Sequence, residues 1–545
     1  MSTMRYDGWC TVQKPEQNKV KIMLKTDIGA AGVLTVSLLT WIHGNEINGQ
    51  SSQRSGIRPN ILFAISDDQS YPYTSAYGTK GLKTPAFDLV AKTGILFNNA
   101  FVAAPQSSPS RAAILTGRNI WQLEEAGTHS SYFPKKFIVF TDLLAGSGYS
   151  VGYTGKPWSP GNWQDAGWKQ NPVGPAFNKK TAKTVPAKGI SKNDYSANFE
   201  DFYSQKPDDQ PFFFWYGATE PHRGYEKGSG VKSGKILSDA LIPKFLPSDT
   251  VVMGDLLDYY LEIEYFDSHL MKIINFLKEK GELDNTIIIV TGDNGMSFPA
   301  AKANLMEYGT HVPLAICWPA RIKSGKISDD LISMIDVAPT LLEITQIENP
   351  EKMTGKSFTK VLFSNKSGIS DPSRKYVLTG RERHSHARAD NVGYPARAIR
   401  TADYLYIMNI KPERWPAGDP VSPDSPLWPG YYDIDDGPSK LYMIENSVKW
   451  QVLFSLAYEK RHGEQLYNIK NDPCCIKDLA TDPLFKTMKE KLRKVLISEL
   501  VKQGDPRMTG NGDIFDSYPR FGEMRDFNGF KEQGKYNPAF GDIKK

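Results

Sequence analysis

Cysteine is scarce in this 545-residue chain, with four in all. That excludes a disulfide framework as the source of stability. Cys474 and Cys475 are adjacent, a poor geometry for bonding to each other. Cys317 lies in an apolar run and reads as a small core residue. Cys10 falls ahead of the expected export cleavage. A strong charge of either sign is missing too. A net charge of +5 is mild at this length; it argues against nucleic acid as a partner and tolerates anionic substrates. There is no internal repeat and no low-complexity tract. What is present is 40% hydrophobic and 12% aromatic residues, enough for a large core. The chain is too long for one typical domain, so two are expected.

The N-terminus reads as a targeting signal. Lys19, Lys21 and Lys25 precede an apolar run from Ile28 to Ile42, and polar residues follow from His43 to Ser55. That is the layout of a secretory signal peptide, and the run is short for a membrane span. Met23 is a second candidate start, and Asp27 is an awkward neighbour for the run. An uncleaved anchor is the competing reading. No cysteine follows the run, so a lipoprotein anchor is not supported. The expectation is a bacterial protein exported to the periplasm or beyond, with no stable membrane insertion once the signal is removed.

Further along, Ile61-Leu62-Phe63-Ala64-Ile65 and Thr286 to Val290 are continuous apolar runs of buried-strand type, as are Phe212 to Tyr216 and Val312 to Cys317. Shorter strands are expected near Ile95 to Asn98 and Tyr149 to Tyr153. Between them, Asp255 to Lys280 places Leu256, Tyr260, Ile263, Phe266, Leu270, Ile274 and Leu277 on one helical stripe. Strands alternating with helices predict an α/β fold with a mostly parallel sheet, whose ligands sit at the strand C-terminal ends. From about Asp371 the character changes to short strands joined by turns. Asp482-Pro483 then opens a helix with Leu484, Met488, Leu492, Val495 and Leu500 on one face. The predicted division is a leader (1–55), a catalytic α/β domain (56–370), a smaller antiparallel α+β subdomain (371–503) and an irregular tail (504–545). Residues 163–193 are polar and Gly/Lys/Pro-rich, expected as an insertion over the active face.

The chemistry centres on Ser107-Ser108-Pro109-Ser110-Arg111, continued by Ala112-Ala113-Ile114-Leu115-Thr116-Gly117-Arg118. A hydroxyl at a helix N-terminus meets converging N–H groups and the positive end of the helix dipole, which suits an anion. Ser and Pro at such a place also serve ordinary capping. The extended run closely resembles the signature of the sulfatase family, (Cys or Ser)-x-Pro-x-Arg followed by a Leu-Thr-Gly helix. The resemblance implies an alkaline phosphatase-like α/β fold. It also implies that Ser107 is oxidised after translation to formylglycine by a sulfatase-maturating enzyme. A hydrated aldehyde can attack sulfur with one hydroxyl and expel sulfate by collapsing through the other. Serine at this position points to the oxygen-independent bacterial type of maturation; an engineered replacement of cysteine is the alternative.

The resemblance assigns further residues. Asp67-Asp68 and Asp293-Asn294 each close a buried strand. Each pair alone also fits a solvated strand end or a turn. Together, and with an oxygen from Ser107, they imply a site for one Ca²⁺, with Mg²⁺ as the alternative. Arg111, Lys156 and Lys302 imply positive charge around the transferring group. His222, in Pro221-His222-Arg223, implies the acid that protonates the leaving atom. The chain departs from the family at Trp158, where Gly155-Lys156-Pro157-Trp158 replaces Gly-Lys-x-His. An indole N–H only donates, so it cannot do that histidine's proton work. Glu220 to Arg223 and the Arg383-His384-Ser385-His386 segment look closest to the sulfamidase branch, which makes Arg223, His384 and His386 candidate sugar contacts. The expected activity is removal of sulfate from a sulfated carbohydrate, N-sulfated glucosamine first and O-sulfated algal glycans such as ulvan next. Two rivals stay open. A phosphatase or phosphonate hydrolase of the same superfamily would need a histidine-rich metal pair, and none of the 8 histidines falls beside Asp67 or Asp293. A non-catalytic glycan binder would keep Ser107 unmodified.

Overall fold

The computed structural model describes residues 58–350 and 353–521. The expected signal peptide, and the tail beyond residue 521, lie outside the described residues. Eight strands make the larger sheet: β1 (Asn60–Ser66), β2 (Ile95–Phe101), β3 (Ser150–Gly155), β4 (Phe212–Gly217), β5 (Thr286–Gly292), β6 (His311–Cys317), β7 (Lys326–Ser328) and β8 (Ile332–Ser333). Their order is β3-β4-β1-β5-β6-β2-β7, with β8 also on β2. All pairings are parallel except those of β6, which runs against β5 and β2.

Burial on both faces explains the continuous apolar runs. In β1, Ile61, Phe63 and Ile65 pack into one core, which also holds Ala112, Ile114 and Leu115 of the helix Ser107–Thr116. Leu62 and Ala64 point the other way, into a core with Phe266, Leu270 and Ile274 of the helix Thr250–Glu279. The strand is wholly buried. At about 25 cal/mol per Å² of apolar surface, each such side chain contributes roughly 2 kcal/mol. The long helix begins at the cap Asp249, whose side chain accepts from the Val251 N–H.

The second sheet is antiparallel: β9 (Tyr376–Arg381), β10 (Ala396–Thr401), β11 (Tyr404–Asn409) and β12 (Glu464–Asn468), in the order β12-β11-β10-β9. The helix Lys486–Lys502 buries Leu492, Leu496 and Leu500. The expected stripe is therefore corrected at its start: Leu484 is 88% exposed, because Pro483–Phe485 forms a 3₁₀ turn out of phase with the helix. The segment between β11 and β12 carries two helices that the sequence reading did not anticipate, Pro438–Glu445 and Gln451–Tyr458.

Glu307 ties the two sheets together. Arg400 of β10 grips it through Nε (2.6 Å) and Nη2 (3.2 Å), and His311 Nδ1 lies 3.3 Å away. Burial alone would raise this carboxyl; Arg400 first and His311 next outweigh it and bring its pKa down to about 2 from the ordinary 4.5. A depressed carboxylate stabilises the fold fully above the unfolded value and loses that effect as pH falls toward the folded one. Glu307→Gln should therefore cost about 3 kcal/mol at neutral pH, with the difference from wild type shrinking between pH 4.5 and pH 2. Denaturant unfolding at a series of pH values checks this, and a difference independent of pH contradicts it.

Candidate active site

Four neighbouring parallel strands end level with one another. Gly155 is opposite Gly217, Gly217 opposite Ile65, and Ser66 opposite Gly292. The residues that follow are therefore delivered to one edge: Lys156 after β3, His222 after β4, Asp67 and Asp68 after β1, Asp293 and Asn294 after β5. Backbone bonds fix the turns, from Asp67 N–H to Glu220 O and from Asp293 N–H to Ser66 O, both 3.0 Å. The loop after β2 adds Ser107 at the start of its helix. The loop carrying Lys302 is pinned to it by the Ala303 N–H on Pro105 O, 2.8 Å.

The Ser107 hydroxyl lies 3.0 Å from Asp67 Oδ1 and 3.2 Å from Asn294 Oδ1. Its single proton serves one of these at a time. Lys156 Nζ donates to the same hydroxyl at 3.1 Å and to Asp67 Oδ2 at 2.5 Å. Asp67, Asp68 and Asp293 each present a carboxylate oxygen within 4.8 Å of the other two. All three are essentially inaccessible to solvent. Such a cluster needs positive charge. Arg111 supplies part of it, with Nε on Asp293 Oδ2 at 2.8 Å and Nη2 3.8 Å from Asp67 Oδ1. Lys302 Nζ donates to Asp68 Oδ2 at 2.7 Å. Burial opposes ionisation of Asp67, yet Lys156 first, with His222 and Arg111, holds its carboxyl below the ordinary value.

Asp68 has φ 68°, a left-handed conformation that costs a non-glycine residue of order 1–3 kcal/mol. Its N–H donates to Asp293 Oδ1 (3.0 Å), and its carbonyl accepts from the Tyr259 hydroxyl (3.2 Å). Those bonds hold the strained turn that aims Asp68 into the cluster. Asn294 is oriented by its Nδ2, which donates to Asp68 Oδ1 (2.7 Å) and Gly295 O (3.0 Å). Its Oδ1 is thereby left facing Ser107.

These residues fit a hard divalent cation. Three carboxylates, an amide oxygen and a hydroxyl converge, with no sulfur or imidazole among the five. Arg111 Nη2 is buried without a hydrogen-bond partner among the described residues. A buried guanidinium edge left open beside this cluster suits an incoming anion.

Of the residues expected from sequence, Asp67, Asp68, Ser107, Arg111, Lys156, Asp293, Asn294 and Lys302 come together. His222 stands at the rim, 40% exposed, with Nε2 3.8 Å from Asp68 Oδ2 and Nδ1 on Arg223 O at 3.0 Å. The three expected sugar contacts turn inward. Arg223 forms a two-pronged pair with Asp255, both bonds 2.7 Å. His384 packs against Asp433 and the His129 ring. His386 is fully buried, with Nδ1 2.9 Å from Asn391 Oδ1.

Trp158 is not in the cleft. It is fully buried, donates Nε1–H to Ser108 O (3.0 Å), and meets Phe133 edge-on at 5.0 Å. It braces the start of the catalytic helix from behind. Two residues were missed from sequence. His129 sits beside Ser130, whose N–H donates to Ser108 Oγ (2.9 Å); its own Nδ1 lies 3.0 Å from His384 O. Burial first, then neighbouring His384 and the cations Arg520, Lys302 and Lys156, hold its pKa well below the ordinary histidine value. Asp435 contacts Lys302 Nζ at 2.8 Å. Neither stands in a strand-end pattern, so only the tertiary fold reveals them.

A mostly parallel sheet with this cluster at its strand ends defines a hydrolase of alkaline phosphatase-like fold. The family model for sulfatases matches residues 59–347, more than half of the chain. The model for the N-sulphoglucosamine sulphohydrolase C-terminal region matches residues 301–415. The chain belongs to the sulfatase family, in its sulfamidase-like branch, and is a sulfatase in the enzymatic sense. It is 29% identical to an ulvan-active sulfatase of Formosa agariphila over 82% of this chain and 81% of that one. It is 25% identical to the human N-sulphoglucosamine sulphohydrolase, covering 82% and 91%. Among solved structures, one in complex with its substrate D-glucosamine-2-N,6-O-disulfate superposes with TM-score 0.59 at 20% identity, covering 83% of this chain and 99% of that one. A 2-O GAG sulfatase gives TM-score 0.56 at 19% identity, covering 83% and 94%.

Gly217 tests how the strand ends set this geometry. A Cβ there would lie 2.0 Å from the Lys156 carbonyl oxygen, which accepts from Arg111 Nη1 (2.7 Å) and Trp215 Nε1 (3.1 Å). Gly217→Ala should displace Lys156 and Arg111 together and lower sulfate release by about 10²-fold. Steady-state kinetics on purified protein provides the check, and wild-type turnover contradicts the assignment.

Proposed function

We propose that this chain is an exported carbohydrate sulfatase that removes sulfate from saccharides of sulfated glycans through a formylglycine formed at Ser107. The observation that carries the reading is the position of the Ser107 hydroxyl, 3.0 Å from Asp67 and 3.2 Å from Asn294, at the head of a fully buried helix. A sulfatase-maturating enzyme would have to act before folding closes this segment. Asp67, Asp68, Asp293, Asn294 and the oxygen of residue 107 would hold one Ca²⁺, which would supply Lewis-acid polarisation of the sulfuryl oxygens and of the nucleophile.

In this reading one hydroxyl of the hydrated formylglycine gives its proton to Asp67, whose Oδ1 lies 3.0 Å from the Ser107 hydroxyl, and attacks sulfur. The bond from sulfur to the sugar oxygen or nitrogen breaks, and the leaving atom takes a proton from His222. Lys302 stabilises charge on that atom, and Arg111 and Lys156 on the sulfuryl oxygens. The second hydroxyl then passes its proton to water, the carbon–oxygen bond to sulfate breaks, and the aldehyde re-forms. Water rehydrates it.

N-sulfated glucosamine is the first substrate class, supported by the sulfamidase-type C-terminal match and the human relative. O-sulfated ulvan saccharides are the second, supported by the Formosa relative. The segment from Lys19 to Ile42 supports export to the periplasm. No helix among the described residues is long and apolar enough to cross a membrane.

Two measurements test the proposal. Mass spectrometry of the Ser107 peptide from the native host should show loss of two hydrogens, and an unaltered serine removes the mechanism. Sulfate release over defined N- and O-sulfated saccharides should favour a glucosamine N-sulfate, and release from ulvan fragments alone would move the substrate to the second class.

A further inference from the structure

Asp435 belongs to the C-terminal part of the chain, in the segment between β11 and β12. It reaches the catalytic cluster nonetheless. Its Oδ2 accepts from Lys302 Nζ at 2.8 Å. Asp435, Asp68 and His222 each present an atom within 4.8 Å of the others. Its side chain keeps 26% of its surface exposed, on the rim where His222 stands.

The segment bearing it is held on both sides. Two residues earlier, Asp433 Oδ2 accepts from Arg381 Nη2 (2.7 Å) and Arg388 Nη2 (2.6 Å), and Asp433 Oδ1 accepts from the Ser385 N–H (3.0 Å). All of these side chains are buried. One residue earlier, Ile434 O accepts from Lys440 Nζ at 3.0 Å. Two residues later, Gly437 packs so closely on Arg223 that a Cβ would lie 2.5 Å from its Nη1. Arg223 is itself fixed by Asp255, which also accepts from the Ser439 hydroxyl at 2.5 Å. A surface turn with no role would not need this frame; a carboxylate that must be placed to within a fraction of an ångström does.

Lysine has three donors. Two of those on Lys302 face Asp68 and Asp435, leaving one for a third atom. On the histidine, Nδ1 is engaged by the Arg223 carbonyl, so Nε2 is the working nitrogen. It lies 3.8 Å from Asp68 Oδ2, and the imidazole has a nitrogen within 4.8 Å of an Asp435 carboxylate oxygen. Two carboxylates therefore stand around this imidazole. Asp68 belongs to the oxygen cluster that fits a cation, whereas Asp435 bonds Lys302 and stands near His222, the two groups on the leaving side.

We infer that Asp435 is a positioning residue for the known reaction, a carboxylate lent by the C-terminal part of the chain that holds Lys302 and His222 toward the atom leaving sulfur. The inference rests on the proposed roles of those two residues. It makes the active site a joint product of both sheets. It also gives the buried Arg381–Asp433–Arg388 group a purpose, that of a buttress. Arg223, expected from sequence to grip a sugar, acts here as part of the same support.

The test uses Asp435→Asn, nearly isosteric, with Asp435→Glu beside it. The substrate is the saccharide from which the wild type releases sulfate fastest among defined N- and O-sulfated glucosamine saccharides. Turnover is measured on matured enzyme. Saccharide affinity is measured on the same variants carrying unconverted Ser107, which bind without turning over. The expected result is a fall in kcat of at least about thirtyfold in Asp435→Asn, with affinity changed less than about threefold and part of kcat regained in Asp435→Glu. A kcat within threefold of wild type overturns the inference. A parallel loss of kcat and affinity also overturns it, because the carboxylate would then be holding ground-state binding or the fold. A wild type that releases sulfate from none of the saccharides counts against the proposed substrate class and not against Asp435.

Discussion

Three carboxylates that share one buried spot dictate much of this structure. Asp67, Asp68 and Asp293 sit where water cannot screen them, and their mutual repulsion must be met by cations. Arg111 from the helix Ser107–Thr116 and Lys156 and Lys302 from two separate loops are drawn in to do so. The level ends of β3, β4, β1 and β5 exist to bring those loops to one edge. The left-handed turn at Asp68 is tolerated for the same reason. A functional site of this kind is less stable than an apolar plug of the same volume, and the wholly buried β1, β4, β5 and β6 on either side carry that cost.

The same electrostatics explain the molecule's second sheet. Glu307 follows the Lys302 loop, and Arg400 reaches from β10 to hold it. Asp435 reaches across to Lys302 itself. The C-terminal part is therefore clamped to the larger sheet's loop at two points, Lys302 and Glu307. That arrangement limits how far the lysine can move when substrate or an ion enters.

Most strands could be read directly from the chain, because strands buried on both faces are continuous apolar runs. The strand-end residues could be read too, since Asp-Asp and Asp-Asn directly follow such runs. The Ser107 run was legible because a long, specific pattern resembles a known one. The failures have physical causes. Leu484 fits a helical stripe by spacing, yet a proline-led 3₁₀ turn rotates it into solvent. Pro438–Glu445 and Gln451–Tyr458 are short, and Tyr458 is buried in a tertiary cluster where Tyr431 and Phe454 meet its ring. Asp435 lies in an Asp-Asp-Gly-Pro run that any surface turn would share. Arg223 and His384 were chosen for their chemistry, but burial and Asp255 or Asp433 decide where they point. Trp158 broke the family pattern on paper, and the fold shows it serving the core behind Ser108.

The buried cluster makes sense only with one hard cation bound among Asp67, Asp68, Asp293, Asn294 and residue 107. Calcium titration calorimetry on metal-stripped protein measures this directly. One ion per chain is expected, with binding weakened by at least about a hundredfold in Asp293→Asn and left intact in Glu307→Gln. No calcium binding in the wild type, or equal affinity in Asp293→Asn, would contradict it.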